Sequence, residues 1–202
     1  MYATLPIPAK GEMALFDSEG HRLYVNDEER DRIIAAARKT LSPNMALYIE
    51  MLAYSGCRAS EALNLYAEHI DLAASEVTFR TLKKRQPGHF RIVPLPPDFV
   101  ERLAMVFDLR KLQASAKGRS TRLWTITRQR QSQITRELFD SIGLPHASAK
   151  SLRHAWAITA INKGVDLVTV SRALGHSSLD VTACYLNAVG EERRKMVLRM
   201  WD

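Results

Sequence analysis

The chain has 202 residues, 46% hydrophobic and 25% charged, with a formal net charge of +7 and an isoelectric point near 9.6. These values fit one globular domain that buries its own core and exclude a disordered chain, and the excess of cations points to an anionic partner, nucleic acid ahead of a membrane surface. Two cysteines, Cys57 and Cys184, are too few for a disulfide framework, and no apolar run reaches membrane-spanning length, so a reduced, cytoplasmic setting is expected.

Residues 1–25 contain Pro6, Pro8, Gly11 and Gly20, and Ala14-Leu15-Phe16 and Arg22-Leu23-Tyr24-Val25 flank Asp17-Ser18-Glu19-Gly20, so a short hairpin or arm is expected. Asn26 then offers a helix N-cap, Asp27, Glu28 and Glu29 suit the N-terminal dipole, and Ile33, Ile34 and Ala37 supply an apolar face. A mostly apolar helix follows from about Asn44 to Tyr54, ended by Gly56. Arg58 begins the next, which runs through Glu61, Leu63 and Leu65. A cation is a poor choice at a helix start on dipole grounds, which favours a functional reason for Arg58 over a solvated one.

Glu76 to Arg85 and His89 to Leu95 read as two strands around Gln86-Pro87-Gly88, with Lys83, Lys84 and Arg85 as a solvated or phosphate-touching cluster. Pro97 to about Gln113 reads as one scaffold helix with Phe99, Leu103, Val106 and Phe107, and residues 114–122 as a small, polar, basic loop. Leu123-Trp124 leads into a helix from Arg128 to about Ile142, in which Arg128, Arg130 and Arg136 read most simply as solvated positions.

The chemistry-bearing residues concentrate between Lys150 and Tyr185. Lys150-Ser151-Leu152-Arg153-His154 opens an apolar helix that extends from Ser151 to Lys163 and closes at Gly164. A second helix, Val165 to Ala173, ends at Gly175, which frees the backbone to present His176, and Val181-Thr182-Ala183-Cys184-Tyr185 follows. Two cations, two imidazoles and a phenol in one short segment are unusual for a packing surface and suit attack on a phosphodiester. Arginine forks and imidazole N–H groups hold the charge that grows on the non-bridging oxygens, and a tyrosine hydroxyl can attack phosphorus and remain as a phosphotyrosine. Such chemistry needs no metal if the protein supplies the positive charge, and neither a metal cluster nor a cofactor is expected. His154 reads equally well as a structural imidazole packed under Arg153, His146 as a surface imidazole, and Tyr185 taken alone as a half-buried helix tyrosine in Thr182 to Ala188. Gly190 to Trp201 reads as an amphipathic tail helix.

Leu152-Arg153-His154, Leu174-Gly175-His176 and Tyr185, together with Gly56-Cys57-Arg58-Ala59-Ser60-Glu61-Ala62-Leu63, resemble in order and spacing the signatures of the tyrosine recombinase (phage integrase) catalytic domain. The resemblance implies an α+β, mainly α domain with a small antiparallel sheet at residues 26–190, between an N-terminal arm at 1–25 and a tail helix at 191–202. It implies metal-independent, cofactor-free site-specific recombination in which Tyr185 attacks the scissile phosphate, Arg58 and Arg153 clamp its oxygens, and His176 and Lys150 are further donors. Lys83 in the hairpin would be the general acid, with Lys84 its close rival, because alternation sends only one of them toward DNA. The family usually has His where Lys150 stands, so Lys150 supplies a hydrogen-bond donor and not an acid/base switch. The implied partners are double-stranded DNA and further copies of the chain, four of them in a synapse on DNA, with the tail packing on its own core or on a neighbour. Family members usually carry a separate N-terminal helical domain that clamps DNA, and residues 1–25 are expected to be too few to form one. Two rivals remain: a DNA-binding regulator that does not cut, which would bind DNA without covalent adducts, and a type IB topoisomerase, which would relax plasmid lacking any recombination site.

Overall fold

The protein is described by a computed structural model for residues 15, 22–80, 90–176, 178–187, 198 and 200–201. Helix α1 (Asp27–Thr40) starts where expected, because Asn26 Oδ1 accepts the Glu29 N–H and Glu29 Oε2 accepts the Asn26 N–H, both at 2.8 Å. Its apolar face of Ile33, Ile34 and Ala37 is buried against α2 (Pro43–Ser55). Helix α2 is buried nearly all round, which is why its sequence lacks an amphipathic pattern. The carboxylate of Glu50 inside it is paired by Arg38 of α1 at 2.7 Å and by Arg102 of α4 (Pro97–Val106). Gly56 ends α2 with φ of +60°, and a Cβ there would stand 2.9 Å from the Trp156 ring, so backbone conformation and space both require glycine.

Helix α3 (Ala59–Leu63) is shorter than expected, since the chain turns at Asn64 and leaves Leu65 outside it. A 3-10 turn (Ala67–His69) and a two-residue strand β1 (Ile70–Asp71), neither anticipated, lead into β2 (Glu76–Arg80) and β3 (Phe90–Pro94). The three form an antiparallel sheet in sequence order, with Ile70 opposite Val77, Val77 opposite Val93, and Phe79 opposite Arg91. Alternation buries Val77, Phe79, Arg91 and Val93 on one face and leaves Phe90 and Ile92 exposed on the other. The hairpin tip, and with it Lys83 and Lys84, lies outside the described residues.

The helix expected from Pro97 to Gln113 is two: α4 ends before Asp108, which adopts φ of +50°, and α5 (Leu109–Gln113) follows. Val106 is exposed, contrary to its expected core role, whereas Phe107 packs edge-on against Trp124 at 5.4 Å. The expected loop at 114–122 contains one short helix, α6 (Ala116–Arg119), capped by Ser115. Then come α7 (Arg128–Ser141), capped by Thr127, α8 (Ala149–Asn162), capped by Ser148, and α9 (Leu167–Leu174), capped by Asp166. Last are α10 (Leu179–Ala183) and a closing 3-10 turn (Cys184–Asn187).

The larger core lies between α1, α2, α4, α8 and the inner sheet face, and it takes Leu152 and Ala155 of α8. A second cluster joins Ala157, Ile158 and Ile161 of α8 to Val170, Leu174 and Tyr185, with Leu15 and Tyr24 of the expected arm packed into it. Within that arm the Leu23 N–H donates to the Leu15 carbonyl at 2.8 Å. The chain is thus mainly α with a small antiparallel sheet, the class expected. Of the expected tail helix, Leu198, Met200 and Trp201 are described, and all three are exposed. Among the described residues no helix is long and apolar enough to cross a membrane.

Candidate active site

Helix α8 is the element on which the site is built. Arg153, one turn into it, is 5% exposed and spans two other segments: its Nη1 donates to the Gly56 carbonyl and its Nη2 to the Leu174 carbonyl, each at 2.8 Å. It thereby joins the end of α2 to the end of α9, two helix C-termini whose carbonyls lack intrahelical partners and favour a cation. Burial, helped by the nearby Arg58 charge, pulls its guanidinium down to about 10, still charged at neutral pH. Each terminal nitrogen keeps a second hydrogen beyond those two bonds.

Arg58 stands at the N-cap of α3 with its side chain about a third exposed. Glu61 holds it twice, accepting the Arg58 backbone N–H at 2.7 Å and Nη1 at 3.0 Å. The other side of the Glu61 carboxylate takes two parallel bonds from Arg91 of β3, at 3.0 and 2.7 Å, and Arg91 Nε donates to the Ala173 carbonyl at 2.7 Å. The Arg91 guanidinium also lies over the Phe79 ring at 4.6 Å. Burial pushes the Glu61 carboxyl up, but the Arg91 hydrogen bonds and charge outweigh it and leave it below the usual carboxylate range.

Gly175 ends α9 at φ of +68° and packs so close that a Cβ would meet Arg91 Cδ at 3.3 Å. His176 follows directly, with Nδ1 2.8 Å from the Thr182 hydroxyl. Its Nε2 is buried and has no partner among the described residues. The His176 ring lies nearly parallel to that of Tyr185, with centroids 6.4 Å apart. Tyr185 sits in the closing 3-10 turn and not in a helix, and it is 2% exposed where half-burial was expected. Its hydroxyl is 3.0 Å from Nδ1 of His154, a fully buried imidazole on α8 beside Arg153. Burial raises the Tyr185 phenol above its ordinary value, against the lowering pull of the Arg153 charge.

Four of the six residues singled out in the sequence therefore fall into one connected cluster. The path runs from Arg58 through Glu61 and Arg91 to the end of α9, on to His176, Tyr185 and His154, and through Arg153 back to Gly56 beside Arg58. Lys150 lies on the first turn of α8 with its side chain exposed, and its charge is felt at His154. Lys83 lies outside the described residues. Arg91 and Glu61 complete the cluster without having been assigned a role from sequence, and His154, whose sequence reading was divided between packing and catalysis, joins them. For Arg91 a signal existed: alternation puts it on the same inward face as Val93, where a cation needs a partner.

Among the described residues no group of three His, Cys, Asp or Glu side chains is placed to hold a metal, and the charge at the site comes from arginines. A groove of about 660 Å³ opens beside the cluster, lined by Glu61, Tyr66, His69, Arg80 and Phe90, so it runs to the base of the hairpin.

Both site imidazoles are held neutral. Burial, with the Lys150 and Arg153 charges, pulls His154 down to about 4, and burial, with the Arg153 and Arg58 charges, pulls His176 down to about 3, from 6.5. A lowered value means that the unfolded chain binds the proton first, so this stability is complete above pH 6.5 and is lost as pH falls through the folded values. For fully buried His154 the expected slope between pH 6.5 and 4 is about 1.4 kcal/mol per pH unit, with a smaller, solvent-screened share from His176. Guanidinium denaturation at pH 7 and pH 5 measures it, and His154→Asn should remove most of the difference.

Comparison with known proteins identifies related chains. The phage integrase family model matches residues 24–192. Tyrosine recombinase XerC of Roseiflexus castenholzii is 32% identical over 145 residues, covering 68% of this chain and 45% of the relative. A tyrosine recombinase of Thermosipho africanus is 27% identical over 180 residues, covering 88% of this chain and 61% of the relative. Among solved structures, XerA recombinase superposes with a TM-score of 0.72 at 25% identity, over 89% of this chain and 65% of that one. XerH recombinase bound to its difH substrate superposes with a TM-score of 0.69 at 20% identity, over 93% of this chain and 60% of that one. The chain spans about half the length of the curated relatives it matches.

Proposed function

The chain belongs to the phage integrase family, and on that premise we propose that it breaks and rejoins DNA by site-specific recombination through a phosphotyrosine at Tyr185. The observation that carries this reading is that Arg58, Arg153, His176 and Tyr185, drawn from separate segments, share one cluster in which His176 Nε2 is buried without a partner among the described residues. A phosphodiester oxygen is the partner that nitrogen lacks. In the proposed reaction the Tyr185 oxygen attacks phosphorus, the bond to the 5′-oxygen breaks, and a 3′-phosphotyrosine and a 5′-hydroxyl remain. The remaining N–H groups of Arg58 and Arg153 hold the non-bridging oxygens, whose charge grows in the transition state, and His176 Nε2–H adds a third donor. Lys150 contributes a further cation at the rim, and Lys83 protonates the departing oxygen. A 5′-hydroxyl from a second strand reverses the attack, and the phosphotyrosine bond makes a nucleotide energy source unnecessary.

Double-stranded DNA is the proposed substrate and partner. The groove between Tyr66 and Arg80, at the base of the hairpin, gives it an approach to Glu61, which holds Arg58. XerH was solved bound to its difH substrate and the Tn1549 transposon integrase in complex with transposon right end DNA, which supports carrying a DNA partner to this chain. Exchange of strands between two duplexes engages four copies. The residue span 26–190 is the proposed catalytic domain.

The test incubates the purified chain, in EDTA, with a pool of nicked duplexes of randomised sequence and resolves the products on a denaturing gel. A slow-migrating, protease-sensitive adduct whose peptide maps to Tyr185 supports the reading, and sequencing the trapped DNA gives the target. DNA binding without any adduct supports the regulator that does not cut, and relaxation of plasmid lacking the trapped sequence supports the topoisomerase. On the trapped duplex, Arg153→Lys should slow adduct formation by about 10²- to 10³-fold, because a point charge cannot replace a planar fork. Single-turnover kinetics measure the loss, and DNA affinity should change little, since Arg153 meets one phosphate among many.

A further inference from the structure

We infer that His154 is a catalytic residue of this site, the group that takes the Tyr185 proton as the phenol oxygen attacks phosphorus and returns it when the DNA is resealed. The inference rests on the recombination reading above and deepens it. A phenol must lose its proton to become a competent nucleophile, and the position where the family usually has a histidine is Lys150, an exposed cation that offers no lone pair while charged. The imidazole that touches the Tyr185 hydroxyl is His154, with Nδ1 3.0 Å away and the two rings 5.6 Å apart. That distance is within reach for direct proton transfer.

The charges around His154 fit the role. Burial, joined by the Lys150 and Arg153 charges on its own helix, keeps the ring in its neutral, accepting form, and Tyr185 and His176 face it from the segments packed against α8. Burial also keeps the phenol protonated until an acceptor acts, so Tyr185 does not ionise by itself at neutral pH. The arrival of a DNA phosphate changes the balance, because its negative charge offsets Lys150 and Arg153 and raises the basicity of Nδ1. His176 has a different task, with Nδ1 committed to the Thr182 hydroxyl and Nε2 left for a phosphate oxygen.

With the ring hydrogen on Nε2, the Oη–H bond breaks and the proton passes to Nδ1 while a lone pair of Oη forms the bond to phosphorus. The bond from phosphorus to the 5′-oxygen breaks, and that oxygen takes a proton from the leaving-group acid, Lys83. On resealing, the Nδ1 proton returns to Oη as the bond between Oη and phosphorus breaks.

The test uses the full chain and the duplex trapped in the adduct experiment, rebuilt with sulfur in place of the bridging 5′-oxygen. A thiolate leaves without a proton, so the Tyr185 proton is the one left in flight. His154→Asn places an amide oxygen near the position of Nδ1, where it accepts the hydrogen bond but not the proton. The variant should form adduct about 10²-fold more slowly or worse and lose the pH-dependent limb of the wild-type profile, and added imidazole should restore rate to His154→Gly. Wild-type protein gives a reading that does not depend on a variant folding: a solvent deuterium isotope effect of about two on cleavage of the sulfur substrate. A His154→Asn rate within about threefold of wild type with the same pH profile, or an isotope effect near one, overturns the inference while leaving the recombination reading intact. If wild type forms no adduct on any duplex, the recombination reading falls and this inference falls with it.

Discussion

Tyr185→Phe is expected to yield a folded protein that still binds DNA and forms no covalent adduct, a loss of at least about 10⁴-fold that no change of pH restores. The substitution removes one oxygen, and the phenyl ring keeps its place in the apolar cluster of Ala157, Ile158, Ile161, Val170 and Leu174. Because the hydroxyl is uncharged at neutral pH, its loss leaves the electrostatic attraction for DNA unchanged. Stability should fall modestly, since Nδ1 of fully buried His154 loses its hydroxyl partner, at about 1–3 kcal/mol. Three measurements separate these effects: a native gel shift for binding, a denaturing gel for the adduct, and guanidinium denaturation for the fold. Binding lost together with the adduct would mean that Tyr185 is structural and that the nucleophile lies elsewhere.

The cluster was partly legible in the sequence, and the reason is local chemistry. Arg58, Arg153, His176 and Tyr185 each stand in a short run whose neighbours have backbone duties that composition reveals, such as Gly56 and Gly175 ending helices with positive φ. The helices α1, α2, α8 and α9 were visible for the same reason, through a cap at one end and an apolar face or a glycine at the other. The pairing of Glu61 with Arg91 was not, because the two residues are 30 positions apart and belong to different elements. Alternation along the strand places Arg91 on the inward face with Val93, a signal that went unused, and it could not have named the partner. The break at Asp108 was also hidden, because neither glycine nor proline marks it and α4 and α5 separate at a residue that only rarely adopts φ of +50°. Tyr185 was read as half-buried because helical periodicity cannot foresee that Leu15 and Tyr24 from the start of the chain cover the same cluster.

Arg91→Met should produce the largest loss of stability of any substitution at the site, about 3–5 kcal/mol, because it removes one partner of a buried ion pair and leaves the other charged. Glu61 accepts two bonds from Arg91, and both side chains are almost wholly buried. With Arg91 gone the carboxylate keeps Arg58 alone, a partner about a third exposed, and the Ala173 carbonyl at the end of α9 loses its donor. The effect has a signature in pH. In the wild type the Glu61 carboxyl lies below its usual 4.5, so its contribution is complete above pH 4.5 and is lost as pH falls through the folded value. Without Arg91, the burial that opposes ionisation prevails, the carboxyl rises, and acid unfolding should begin at a higher pH. Adding Glu61→Gln to Arg91→Met should therefore return part of the lost stability, since a neutral amide needs no counter-charge in that place. Urea denaturation of the two single variants and the double variant at pH 7 and pH 4 measures both effects. Additive losses in the double variant would mean that the two side chains act through separate packing and that the pair does not hold Arg58 against the end of α9.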